Sequence, residues 1–276
     1  MQKIMLTLLI LSLSLALAAA VEGCPEGPWI ENMVVAIRES KLTSSSHLLS
    51  STYLPYLNTP CLGNDGSLTP LHLASKVGSK PSVIKTLIEA GGDISVKHKS
   101  GTTAIMFASR EGEREALKTL LEHASKIGKV DEELNAVDEH GNTALHLSSL
   151  QASCPSCAYF MLMITSSRDW SLKFNSNGNS ALQIASFYGV SSHFVDTLLA
   201  DEEIKKSVNT GAKGNGRTAL MLAVSANAED NVVSLIKHGA DVNWESGGTT
   251  AVELARDKGM EHLIPIMNAA EAGGEL

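Results

Sequence analysis

One six-residue pattern recurs along this chain and limits its possible folds more than any other feature. Each copy opens on Thr or Ser, carries apolar residues at its third and fifth places, and has a small residue at its sixth. The copies are Thr69-Pro-Leu-His-Leu-Ala74, Thr103-Ala-Ile-Met-Phe-Ala108, Thr143-Ala-Leu-His-Leu-Ser148, Ser180-Ala-Leu-Gln-Ile-Ala185, Thr218-Ala-Leu-Met-Leu-Ala223 and Thr250-Ala-Val-Glu-Leu-Ala255. The leading hydroxyl is placed to cap a helix, and Pro70 suits a first turn, where a missing N–H costs nothing. Counted at the third place (Leu71, Ile105, Leu145, Leu182, Leu220, Val252) the spacings are 34, 40, 37, 38 and 32. A unit this short cannot bury its own apolar face. Six copies in a row therefore predict a stack whose core lies between neighbours.

Asn64 to Gly92 shows the whole unit. Thr69 starts a helix that Gly78 ends; Pro81 opens a second with Val83, Ile84, Leu87 and Ile88 as its apolar stripe; Gly91-Gly92 closes it before an extended piece, Asp93 to Lys97. In the last five copies a glycine sits two residues before the capping hydroxyl (Gly101, Gly141, Gly178, Gly216, Gly248), where a tight hairpin turn needs positive φ. The first copy has Ser67 there. The unit resembles an ankyrin repeat, whose signature T-P-L-H-x-A is complete at Thr69–Ala74 and whose period is about 33 residues. That resemblance implies an all-α ankyrin-repeat solenoid of helix–turn–helix–hairpin repeats. The repeats span 63–268, with starts near 64, 98, 138, 175, 213 and 245. Longer spacings are assigned to insertions at Ser125 to Glu133 and Asp201 to Ser207, both expected as solvated loops.

Residues 21–62 lack the signature and are expected to form an N-terminal helical cap rather than a separate binding module. Pro28 would open a helix with Ile30, Val34 and Ile37 on one face and Met33 beside it, and Ser44 to Leu57 a second helix using Leu48, Leu49 and Leu57. Glu253 to Met267 is read as the C-terminal cap and 269–276 as a flexible tail. Met1 to Ala20 has the build of a secretory signal: Lys3, an apolar stretch from Ile4 to Leu17, and Ala18-Ala19-Ala20 as a cleavage site. Export, to a secreted or periplasmic destination, is the resulting expectation. Lipid anchoring through Cys24 is the alternative, although Glu22-Gly23 before it matches a lipobox poorly. The apolar stretch is too short to span a membrane, and no other stretch is long enough. A net charge of −8 without any Lys/Arg run argues against nucleic acid and anionic lipid surfaces as partners.

Four cysteines permit three pairings; the most local is Cys24–Cys61 with Cys154–Cys157. Cys154-Pro-Ser-Cys157 falls at the start of a second helix, where a thiolate is stabilised, so a thiol–disulfide or oxidative-stress protein is the alternative functional reading. No βαβ pattern surrounds it, which favours a structural or inert pair. No metal cluster, phosphate-cradling loop or acid–base dyad stands out, and neither an enzyme activity nor a cofactor is expected. His72 and His146 are the repeat's own histidine, which in the family hydrogen-bonds the hairpin backbone. Trp170 is expected in the core and Trp244 at the rim.

The resemblance implies non-catalytic binding of a protein partner through hairpin tips and first helices, which line a concave face. Carried onto this sequence, the tips include Lys99, His140 and Asn177, and the first helices Arg110, Leu150, Gln151, Phe187 and Tyr188. Leu150, Phe187 and Tyr188 are the informative members, because the same places elsewhere hold charged or small residues. With Arg110 beside them they form the expected hot spot. The protein is expected to be monomeric.

Overall fold

The computed structural model describes residues 24–271, apart from 26–27, 64–65, 152–153 and 189–190. The expected leader, residues 1–20, lies outside them. Among the described residues there are α-helices, three 3-10 turns and two isolated antiparallel bridges, Leu62 with Leu68 and Ser246 with Thr249, but no β-strand. The fold is all-α.

Helix α1 is Trp29–Arg38. Six helix pairs follow: α2 (Pro70–Lys76) with α3 (Pro81–Glu89), α4 (Ala104–Glu111) with α5 (Arg114–Lys126), α7 (Ala144–Gln151) with α8 (Pro155–Ile164), α9 (Ala181–Phe187) with α10 (Ser192–Leu199), α12 (Ala219–Ser225) with α13 (Glu229–Lys237), and α14 (Ala251–Asp257) with α15 (Ile264–Glu271). Short helices α6 (Val130–Asn135) and α11 (Glu202–Lys206) fall between pairs. The first helices start where the hydroxyls predict. Thr69, Ser180 and Thr250 accept the N–H of the residue three further on at 3.3 Å, and Thr103 and Thr218 do so at 3.4 Å. Each of these bonds satisfies one of the N–H groups that a helix start otherwise leaves without a partner.

The chain forms two compact units: the described residues through Ala108 with Glu115–Lys126, and Ser109–Arg114 with Ile127 onward. In the first, α1 packs on α2 and α2 on α3. In the second, first helices stack in the order α7, α9, α12, α14, and second helices in the order α8, α10, α13, α15. Between the two rows lies the core, with Trp170, Phe194, Val195, Leu198, Val232 and Leu235 buried. Removing such a side chain from water contributes about 1.5–3 kcal/mol.

Four local expectations are corrected. Helix α1 buries Trp29, Met33 and Ile37 rather than Ile30 and Val34, because Trp29 stacks on Tyr53 at 5.7 Å and donates its indole N–H to Leu48 O at 3.0 Å. Residues 44–57 form no second helix but two 3-10 turns, His47–Leu49 and Leu54–Tyr56. Serines compete for the backbone there, as when Ser46 Oγ accepts the Leu48 N–H at 3.4 Å, and Pro55 supplies no N–H. Both insertions contain helix. Asp201 caps α11 by accepting the Glu203 and Ile204 N–H groups at 3.2 Å, and Ile204 and Leu134 are buried. Finally, α15 runs through Glu271, into the segment expected as tail.

In the first hairpin Gly66 carries the positive φ, 63°, while Ser67 is buried with its Oγ 2.5 Å from His98 Nε2. Gly178 shows why the later copies hold glycine: its φ is +78°, and an added Cβ would sit 3.0 Å from the Lys213 carbonyl carbon. The sulfurs of Cys24 and Cys61 are bonded, as are those of Cys154 and Cys157.

Candidate functional site

The local design of the second unit begins at its hairpins. Asp138 Oδ1 accepts the His140 and Asn142 N–H groups at 2.9 and 2.8 Å, and Asn175 Oδ1 accepts those of Asn177 and Asn179 at 3.1 Å. Neighbouring hairpins are tied by main-chain bonds, Ser176 N to His140 O at 2.9 Å and Lys213 N to Gly178 O at 2.8 Å, and by Asn175 Nδ2 donating to Asn142 Oδ1 at 2.9 Å. In two of the repeats a buried side chain joins loop to helix. His146 Nδ1 accepts the Thr143 N–H and its Nε2 donates to Asn179 O, both at 3.2 Å. Gln183 repeats the arrangement, accepting from Ser180 N at 2.8 Å and donating to Thr210 O at 2.9 Å. His72 does the same in the first unit, with Nε2 donating to Val96 O at 2.8 Å. Burial holds both histidines well below the ordinary value, at about 4, so they are neutral linkers.

These cross-tied hairpins and helices α7, α9 and α12 line an open groove of about 570 Å³. Leu150, Phe187, Tyr188 and Leu222 supply its apolar wall, and Gln183 and Ile184 line it as well. Phe187 and Tyr188 meet edge to face, ring centroids 5.4 Å apart, and stay 49% and 59% exposed. Side chains of that size left half in water side by side are unusual on a protein surface unless something covers them. The polar side of the groove is neutral amide (Asn142, Asn175, Asn177, Asn179, Asn215) together with His140 and Arg217.

Of the residues singled out in the sequence, His140, Leu150, Asn177, Phe187 and Tyr188 are brought together in this groove. Arg110 is not: its guanidinium pairs with Glu111, Nε and Nη2 reaching Oε1 at 3.1 and 3.0 Å. Lys99 belongs to the other unit, and the Gln151 side chain lies outside the described residues. The cation that lines the groove is Arg217, which the sequence reading passed over. It stands between hairpin glycine and capping hydroxyl, where the other copies after the first carry Thr102, Asn142, Asn179 and Thr249. Comparing that place across copies is the signal that reveals it.

Comparison with known proteins agrees with this architecture. A family profile described as ankyrin repeats in three copies matches residues 44–131, 71–169, 162–246 and 182–272. The chain belongs to the ankyrin-repeat family. It is similar to the nuclear factor NF-kappa-B p105 subunit of Gallus gallus, 26% identical over 79% of this chain and 18% of that protein. It is also similar to the B-cell lymphoma 3 protein homolog of Mus musculus, 30% identical over 50% of this chain and 31% of that protein. The chain thus spans about a third or less of the length of these relatives. Among solved structures, the ankyrin repeat domain of Bcl-3, a member of the IkappaB protein family, superimposes with a TM-score of 0.67 at 25% identity, covering 88% of this chain and 98% of that one.

As an ankyrin-repeat protein the chain places its chemistry-bearing cysteines away from solvent. Cys157 is fully buried and Cys154 is 5% exposed. Cys154 Sγ accepts the Cys157 N–H at 3.1 Å at the start of α8. Burial of both residues limits the approach of an attacking thiolate to this disulfide. Among the described residues no group of His, Cys, Asp and Glu is placed to hold a metal ion, and no helix is long and apolar enough to cross a membrane.

Proposed function

We propose that this ankyrin-repeat protein is a non-catalytic binding module that takes a protein partner in the groove of its second unit. The observation that carries this is the half-exposed Phe187–Tyr188 pair, backed by Leu150 on a face whose hairpins are already cross-tied. Large aromatics in a preformed apolar recess are where binding energy concentrates. A surface stiffened before contact loses little conformational freedom when it binds. The relatives support the reading by fold: p105 and Bcl-3 carry similar repeats. Burial of Cys154 and Cys157 supports a structural pair over an exchanging one.

The partner is placed outside the cytoplasm, on the strength of the apolar run at Ile4 to Leu17 and its Ala18-Ala19-Ala20 site, with the protein acting as a monomer. Leu150→Ala combined with Tyr188→Ala tests the groove. Co-purification from the medium or envelope of the native cells should lose a partner that the parent retains, with helical circular dichroism unchanged. Retention of that partner by the double variant would move the binding surface elsewhere.

A further inference from the structure

We infer that the groove selects an extended peptide segment carrying a carboxylate beside an apolar side chain, the carboxylate being held by Arg217; this rests on the protein-binding reading above. The chain treats its enclosed arginines in two ways. Arg168 is fully used: Nε donates to Asp201 Oδ2 at 2.5 Å, Nη2 to Leu162 O at 2.8 Å, and Nη1 to the carbonyls of Thr165 and Ser167 at 2.5 and 3.0 Å. Arg110 likewise has Glu111. Arg217 is half-buried like them, yet its side chain makes one long contact, Nη1 to Ser225 Oγ at 3.5 Å, and it meets no carboxylate among the described residues. A partly desolvated guanidinium without an acid is an unmet demand, and its planar fork matches a carboxylate in two parallel hydrogen bonds.

The surroundings narrow the occupant. None of the residues lining the groove is acidic. Asp138, in the hairpin of His140, already accepts the His140 and Asn142 N–H groups and the Asn142 amide, and Glu139 sits 3.8 Å from His140. The side-chain amides of Asn177 and Asn179 make no hydrogen bond among the described residues, so each offers a donor and an acceptor. An extended peptide presents that same alternation of C=O and N–H along its backbone. Leu150, Phe187, Tyr188 and Leu222 then receive one apolar side chain next to the acid. A polyanion such as nucleic acid fits poorly, because the protein as a whole carries −8 and one arginine offers little against it.

The test is selection of short random peptides on the full chain, followed by fluorescence anisotropy with a selected peptide and its Asp→Asn or Glu→Gln counterpart. Selected sequences should pair an acid with an aromatic or aliphatic residue. Arg217→Gln should weaken the acidic peptide by about tenfold or more while barely changing the amide counterpart. Arg217→Lys should recover part of the loss, since it keeps the charge and drops the fork. Thermal unfolding of Arg217→Gln should match the parent, given how little the side chain touches. If selected peptides are neutral, or acidic ones bind Arg217→Gln as well as the parent yet are lost on Tyr188→Ala, the carboxylate inference is overturned and the groove reading stands. If no peptide is enriched, the peptide inference is overturned and the groove reading rests on its co-purification test; if binding survives Leu150→Ala with Tyr188→Ala, both fail together.

Discussion

His146 connects the residue scale to pH. Burial is the main reason its ring resists protonation, lowering it from 6.5 to about 4 against the opposing pull of the carbonyls of Asn179 and Lys173. Above pH 6.5 folded and unfolded chains are both neutral at this position, and the stability is full. Between 6.5 and about 4 the unfolded chain takes up a proton that the folded one refuses, so stability falls as pH falls through that window, by roughly 3 kcal/mol for each such histidine. His72 behaves alike in the first unit. Gln183 shows that an uncharged amide fills the same post. His146→Gln should therefore change stability at pH 7 by less than about 1 kcal/mol and make the loss between pH 6.5 and 4 clearly shallower, in urea unfolding followed across pH. An unchanged pH slope would refute this. The opposite case is Asn231. It occupies the inward place held by Val83, Cys157 and Phe194 in other repeats, is 1% exposed, and neither atom of its amide finds a hydrogen-bond partner among the described residues. Nothing in the structure explains that choice.

At the scale of elements, the connections carry more structure than their composition suggests. Arg168 binds the stretch after α8 to Asp201, the residue that caps α11, and both side chains are largely enclosed, 20% and 11% exposed. Arg168→Met would take its guanidinium donor from the enclosed Asp201 Oδ2 and from the Leu162 and Thr165 carbonyls, lowering stability by about 3 kcal/mol or more. Arg168→Met with Asp201→Asn should recover part of this in a denaturant titration, because Asn still caps the helix and buries no charge; no recovery would show that the carbonyl contacts, not the ion pair, set the cost. The entry to the first full repeat uses a device repeated later. Asn58 donates to Gly91 O at 2.9 Å and accepts Asp93 N–H at 2.7 Å, and Asn209 does the same with Gly239 and Asp241 at 3.2 and 2.7 Å. The shared Asn-Thr, at 58–59 and 209–210, was visible in the sequence, and so was the charge order of Asp201 to Lys206, acids first and lysines last, which suits a helix dipole. The buried face of α1 was not visible, because either apolar stripe fits a helix and only the stack of Tyr53 on Trp29 chooses between them.

At the scale of the whole molecule, the two disulfides and the expected leader make one joint prediction. Protein taken from its native cells should have an intact mass beginning at Val21, with no cysteine alkylated until a reductant is added. A mass retaining Met1 with four alkylated cysteines would overturn export and move the search for a partner into the cell. Much of the architecture was determined by the sequence alone. Helix pairs, capping hydroxyls, hairpin glycines and the apolar stripes of the repeat helices follow from local rules, and six copies of one local rule leave a stack of repeats as the way to bury them. Leu150, Phe187 and Tyr188 were legible for the same reason, as departures from a repeated place. Tertiary structure alone decided which charges are spent and which are open. Arg168 is bound by an acid 33 residues away and, among the described residues, Arg217 meets none, and that depends on which carboxylates the fold brings within reach. Hydrogen-bond partners far apart in the chain leave no periodic trace, so their pairing appears only once the helices have packed.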